Sequence, residues 1–356
     1  MEAKARVDSF TARLGLQIPI LLAPMAGSCP VPLSAAVARA GGMGGCGALL
    51  MKPEVIRAWA AEFREESQGG AFQINLWIPD PPPARDAERE RRQREFLSGW
   101  GPAVTPEMGE TVLPDFEAQC EAMLEAKPTA ISSIMGVYPP RFVAEMKARG
   151  ILWFATATTV AEARAAEAAG ADVIVAQGME AGGHRGAFKA ADADAQLVGL
   201  IALVPQVVDA VSVPVVATGG IADARGVAAA LMLGASAAQI GTGFLRCPEA
   251  KINPTWADRI GEVEAHETRI TRAFTGRSGR AINTRYVIAS TSPNSPHPAA
   301  YPVQRGLTRV MREEAAKAGD TDRMQMWAGQ GAPFAQAKPA EAVARELWSE
   351  ALELLG

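Results

Sequence analysis

"VPVVATGGIADARGVAAALMLGASAAQIGTGFL" (Val213–Leu245) holds two successive units of one kind. Each begins with a short apolar run, Val213–Ala217 and then Ala238–Gly241, and each run leads into a glycine turn, Thr218-Gly219-Gly220 and Gly241-Thr242-Gly243. Between them "DARGVAAALMLGA" has the pattern of a helix closed by glycine, where a C-terminal cap favours positive φ. Glycine lets a backbone approach an anion closely, and N–H groups at a helix start present partial positive charge to it. Two such turns in succession point to a phosphorylated ligand.

The same alternation runs upstream. Apolar runs at Ile18–Ala23, Gly42–Ala48, Ala71–Trp77, Ala130–Ile134, Leu152–Thr156 and Val173–Ala176 bring the count to eight strands, separated by helical patterns such as "PEVIRAWAAEFREE" and "TVAEARAAEAAGA". Eight βα units close into a TIM (β/α)8 barrel, whose active site lies on the loops after the C-terminal ends of the strands. Loops seven and eight are the usual phosphate site of such a barrel.

Two segments break the rhythm. Residues 79–101, "PDPPPARDAERERRQREFLSGW" in its Pro-rich opening and charged helical continuation, read as a long excursion after the third strand: a solvated surface arm, or else a lid or subunit contact. From Pro248 to Gln325 the alternation stops and Arg-rich and Pro-rich helical pieces follow. The expected organisation is a barrel of residues 1–247 and 326–356 carrying a smaller, mainly helical domain, 248–325, over its mouth.

Composition narrows the function. The 356 residues are 48% apolar and 21% charged with a net charge of −4, which fits a globular solute-handling protein and disfavours a nucleic-acid surface. The four cysteines, Cys29, Cys46, Cys120 and Cys247, form no CxxC pair and no zinc spacing, so they read as reduced thiols in a cytoplasmic protein without metal. The N-terminal stretch "MEAKARVDSFTARLG" lacks an apolar core, and no run of membrane-spanning length occurs.

Amides in three loops suit the carbonyls and N–H of a flavin ring: Asn75 after strand three, Gln177 after strand six, and Gln330 in "WAGQG". In the loop after strand six, "AQGMEAGGHRG" sets His184 where an imidazole can accept a proton or, once protonated, stabilise a bound anion. Arg185 beside it either attracts an anion or points outward as a surface residue. His266, in "EVEAHETR", reads as solvated; His297 and Tyr301, in "NSPHPAAYP", are candidates for the pocket wall.

Taken together, "ILLAPMAG" (Ile20–Gly27), "AQGMEAGGHRG" (Ala176–Gly186), "ATGGIAD" (Ala217–Asp223), "QIGTGFL" (Gln239–Leu245) and "WAGQG" (Trp327–Gly331) resemble the nitronate monooxygenase family, formerly 2-nitropropane dioxygenases, and the excursion after "NLW" resembles its class I branch. The resemblance implies an FMN-binding barrel, without metal, that oxidises alkyl nitronates such as propionate 3-nitronate with O2, working as monomer or homodimer. It implies that Ala23, Pro24 and Met25 face the flavin ring, with Asn75 and Gln177 on its polar edge. Gly182 and Gly183 would pass close to the cofactor, Gly219, Gly220, Gly241 and Thr242 would hold its phosphate, and Gln330 would reach it from the last loop. His184 matches the family's catalytic histidine.

The rivals on the same barrel are FMN-dependent NAD(P)H:quinone and enoyl-thioester reductases. A relative of inosine-monophosphate dehydrogenase would need a cysteine nucleophile in the loop after strand six, and Gln177–Phe188 contains none. A flavin carrier without catalysis has little need of a histidine there.

Overall fold

The computed structural model describes residues 3–356; Met1 and Glu2, the head of the N-terminal stretch, lie outside the described residues. All eight expected strands form, with slightly different ends: β1 (Ile20–Leu22), β2 (Gly44–Gly47), β3 (Phe72–Trp77), β4 (Ala130–Ile134), β5 (Leu152–Ala157) and β6 (Val173–Gln177), then, after a short β7 (Gly183–His184) outside the barrel, β8 (Val215–Thr218) and β9 (Ala237–Ile240). Every neighbouring pair in the order β1-β9-β8-β6-β5-β4-β3-β2 is parallel. The ring closes between β1 and the residue before β2, where Leu22 N donates to Met43 O (2.9 Å) and Met43 N to Ile20 O (3.1 Å). The chain is a TIM barrel.

Successive strand residues point to opposite faces, so each strand offers the barrel interior every second side chain. The lower interior is apolar: Leu21, Met43, Ala130, Phe154, Val175, Val216 and Ala237 pack together there. Two residues further along β5, β6, β8 and β9, the inward positions become Thr156, Gln177, Thr218 and Gln239, and all four line the cleft at the mouth. This switch from apolar to polar at the last inward position makes one end of the barrel a plug and the other a site.

The plug is completed by the helix Ala3–Leu14, which sends Phe10 and Leu14 into the same lower cluster, Phe10 lying 6.4 Å from Phe154 between ring centroids. Outside, helices such as Pro53–Glu66 and Ala224–Met232 follow the predicted stretches. Asp223 caps the latter by accepting from Gly226 N at 2.9 Å, meeting one of the N–H groups that a helix start leaves unpaired.

Beyond the barrel the chain forms the helices Pro254–Glu262, Arg285–Ser290, Val303–Leu307 and Arg309–Ala318. They accompany a three-stranded antiparallel sheet that the sequence did not announce, β10 (Thr268–Thr271), β11 (Gly279–Ile282) and β7. Strands of four and two residues are too short to show a period. The excursion 79–101 is also not the solvated arm of the first expectation: Leu97 is buried in a cluster with Phe274, Tyr286 and Leu307, and Gln93 Nε2 donates to Pro296 O at 2.6 Å. Most of the charged residues of its helix face water, while Glu90, Gln93 and Leu97 are buried on one stripe.

Phe10 is 2% exposed at the closed end of the barrel. Phe10→Ala should lower unfolding stability by about 3–5 kcal/mol, the usual cost of an aromatic cavity, read from the urea midpoint at constant m-value.

Candidate active site

At the mouth, the residues after β1, β2, β3, β6, β8 and β9 surround a cleft of about 250 Å³. Ala23, Pro24, Met25, Asn75, Gln177, Gly182, Gly183, His184, Gly219, Gly220, Gly241 and Thr242 all lie in its wall, so the structure brings together twelve residues that are scattered in sequence. Gly219 and Gly220 adopt φ of +122° and +71°, a turn that side-chain-bearing residues rarely enter. In the loop after β9, Thr242 Oγ1 accepts from Gly329 N at 2.9 Å and so ties that turn to the last loop.

The upper interior amides are already oriented by the protein. Gln73 Nε2 donates to Gln239 Oε1 at 2.8 Å, which leaves the Gln239 amide nitrogen for the cleft. Asn75 Nδ2 donates to Ser132 Oγ at 3.1 Å. Gln177 Oε1 accepts from Gly186 N (2.8 Å) and Arg185 Nη1 (3.1 Å), while its Nε2 donates to His184 O (3.2 Å). Such groups can meet the donors and acceptors of a planar heterocycle, and the glycine turns can meet an anion. Among the described residues no cluster suited to a metal ion is found.

His184 belongs to β7, paired to Gly279 of β11, so barrel and second unit hold it jointly. The Trp77 and Trp327 rings flank it, 4.6 and 4.8 Å away between centroids. Its Nε2 meets Thr275 Oγ1 at 2.9 Å, and that hydroxyl donates to Arg277 O at 3.1 Å. With its one proton committed there, Thr275 receives Nε2–H, and Nδ1 is the ring's acceptor. Desolvation, reinforced by the charges of Arg277 and Arg305, pushes the imidazole down to about 3. Burial and the two guanidinium groups thus favour the neutral ring, and positive charge on this wall comes from arginine.

The nitronate monooxygenase family model matches residues 9–350. A nitronate monooxygenase of Pseudomonas aeruginosa is 38% identical over 96% of this chain and 99% of its own, and a probable nitronate monooxygenase of Bacillus subtilis is 36% identical over 91% and 93%. The chain belongs to the nitronate monooxygenase family. It is accordingly an oxidoreductase. Among solved structures, nitroalkane oxidase from Streptomyces ansochromogenes superposes with a TM-score of 0.86 at 35% identity, covering 97% of this chain and 98% of that one. FabK from Thermotoga maritima follows the fold at 0.75 and 27%, covering 98% and 96%.

Within this nitronate monooxygenase family member, three other expectations come out differently. Arg185 is 1% exposed rather than on the surface, with Nη1 on Gly178 O at 2.7 Å as well as on Gln177. It braces the histidine loop from beneath and does not face the cleft. His297 is exposed, holds only a backbone bond from Arg89 Nε (3.3 Å), and is not in the cleft wall. Tyr301 stands behind Trp77 at 5.3 Å, its hydroxyl buried and without a partner. Gln330 is carried by the final loop between the wall residues Gly329 and Gly331. His266 is solvated as expected, and the four cysteines are free and buried.

Sequence reasoning missed Trp77, Gln239, Thr275, Arg305, Arg312 and Trp327. Gln239 carried a usable signal, a polar residue ending an otherwise apolar strand. Thr275 and the two arginines carried none, because they lie where the βα rhythm had stopped.

A neutral His184 has a signature in stability. Between its folded value of about 3 and the ordinary 6.5, the unfolded chain binds a proton that the folded chain refuses. The contribution is therefore full above the upper limit and is lost as pH falls through the window. Urea titrations from pH 7 to about pH 4 should show wild type losing more stability than His184→Asn, with the gap widening downward. Parallel pH curves would place the ring's titration elsewhere.

Proposed function

We propose that the chain is an FMN-dependent nitronate monooxygenase that oxidises alkyl nitronates, propionate 3-nitronate among them, with O2 to carbonyl compounds and nitrite, as a cytoplasmic monomer or homodimer. The observation that carries this reading is a cleft in which two glycine turns, a rim of oriented amides and a histidine between two indoles converge, without a carboxylate in the wall. In this reading residues 1–247 and 326–356 form the cofactor domain and 248–325 the substrate-side domain.

The residues present fit the group. Gly219, Gly220, Gly241 and Thr242 would take the phosphate, the three glycines bare of side chains and the first two set at positive φ. Ala23, Pro24 and Met25 would lie along the ring, and Gly182 and Gly183 would let it approach. Asn75, Gln177 and the unforeseen Gln239 would meet its polar edge, and Gln330 would reach it from the last loop. FMN, when bound, supplies the two-electron acceptor and the centre that reacts with oxygen.

The chain's own residues do the rest. A nitronate arrives already deprotonated, so His184 need not act as its base. The anion's charge offsets the desolvation and the arginine repulsion that keep the ring neutral, so binding draws a proton onto His184 and fixes the nitronate beside it. Toward a neutral nitroalkane, Nδ1 is the acceptor that would remove the α-proton. Trp77 and Trp327 pack against the ring from two sides and limit its rotation.

Aerobic incubation with propionate 3-nitronate should consume O2 and release nitrite. Without air, the visible flavin absorbance should be lost on adding the nitronate and kept on adding NADH or NADPH. His184→Asn should retain flavin and lose about 10²- to 10⁴-fold in kcat/KM. Reduction by a nicotinamide alone would instead establish the reductase reading, which the likeness to FabK favours.

A further inference from the structure

Two guanidinium groups, those of Arg305 and Arg312, line the cleft on the side of the second unit, and no carboxylate lines it anywhere. Arg312 is fully engaged: Nε donates to Thr308 Oγ1 (3.1 Å), Nη1 to Gln325 Oε1 (2.8 Å) and Nη2 to the carbonyl of Arg305 (2.9 Å). Arg277, the other cation acting on His184, is buried and ion-paired with Asp80. Arg305 alone among these three has a guanidinium with no ion pair and no hydrogen-bond acceptor among the described residues, although it is half-buried.

That cation stands on rigid backbone. On either side of it, Gln304 Nε2 donates to Ala273 O (2.8 Å) and Thr308 Oγ1 to Phe274 O (2.6 Å), which fix the short helix Val303–Leu307 against the second unit. Its charge is felt at His184, Tyr301 and Arg312, which sets it at the histidine end of the cleft. The glycine turns assigned to the phosphate belong to the loops after β8 and β9 and have their own backbone donors. A partly desolvated cation without a counter-charge costs free energy unless a ligand supplies the missing anion.

We propose that Arg305 determines substrate specificity by pairing with a carboxylate carried by the nitronate, so that the substrate is held at two points, its nitronate group at His184 and its acid group at the Arg305 fork. This rests on the nitronate reading above. A guanidinium suits the role because its planar donors match both carboxylate oxygens, a fit an ammonium lacks.

The test compares kcat/KM for propionate 3-nitronate with that for ethyl nitronate, which has no acid group, in wild type, Arg305→Met and Arg305→Lys, each checked for bound flavin. Arg305→Met keeps the aliphatic stem, and the preference for the acidic substrate should fall at least about tenfold, through KM, with partial recovery in Arg305→Lys. A second measurement needs no variant: in wild type, succinate should inhibit ethyl nitronate turnover competitively and at least about tenfold more tightly than monomethyl succinate. An unchanged preference in Arg305→Met, equal inhibition by acid and ester, or loss of flavin from the variant would overturn the proposal, the last by assigning the guanidinium to the cofactor. A wild type that oxidises neither nitronate sinks the functional reading itself, a result distinct from one in which ethyl nitronate is consumed and Arg305 makes no difference.

Discussion

Three loops far apart in sequence meet over the barrel mouth with their backbones in contact, and the rest of the site depends on that approach. A Cβ at Gly329 would stand 2.8 Å from both Glu180 O and Gly182 N, one at Gly182 would stand 2.7 Å from Ala328 C, and one at Gly331 would stand 2.9 Å from Gly220 C. Real side chains do not tolerate such distances, so the final loop can lie against the turns after β6 and β8 only while these positions are glycine. The contact is fastened by Gln330 N on Glu180 O and Gly329 N on Thr242 Oγ1, both 2.9 Å. It fixes where Gly182 ends and therefore where β7 begins, and with β7 the place of His184.

The loop between β6 and β7 is held from the other side by cations. Arg185 grips Gly178 O, and Arg280 places Nε and Nη2 on Met179 O at 3.0 and 2.9 Å, so two carbonyls that would otherwise be poorly paired receive charge-assisted bonds. Arg277 adds a third clasp: one end of its guanidinium takes Asp80 from the Pro-rich excursion, and Nη2 donates to Ala187 O at 2.7 Å. The excursion, the histidine loop and the turn between β10 and β11 thus share one buried guanidinium. Burial of Arg185 lowers its value to about 10, a cost the fold bears for holding the loop from within.

The barrel was legible because most of its strands are short, largely apolar runs spaced by helical patterns, and that signal is local. The glycine turns at 219–220 and 241–243 and the histidine after β6 were legible for the same reason: a strand end in a barrel is a position in the site. What stayed hidden is non-local. Burial of Arg185 depends on Gln177 and Gly178 folding back over it, and nothing in "GGHRG" distinguishes that outcome from exposure. The indoles of Trp77 and Trp327 belong to motifs read for other residues, and their meeting at His184 is set by the closure of the barrel and by the final loop. The second unit hid its sheet because two of its three strands are short and the third is borrowed from the barrel chain.

Charge in the cleft is divided between two kinds of residue, and the division follows from how each pays for desolvation. A histidine removed from water and faced by arginines can shed its proton, so the cleft favours the neutral form of His184 at little cost. An arginine keeps its proton under the same conditions and must find hydrogen-bond partners instead. Arg312 finds them in Thr308, Gln325 and the Arg305 carbonyl, and Arg277 finds Asp80; Arg305, beside Arg312 in the cleft wall, finds none among the described residues. A cleft built this way has a constant positive end and a proton-adjustable one. An anion with a single charge can satisfy either, whereas a ligand with two negative groups satisfies both at once, and the rigid helix under Arg305 sets the spacing between them.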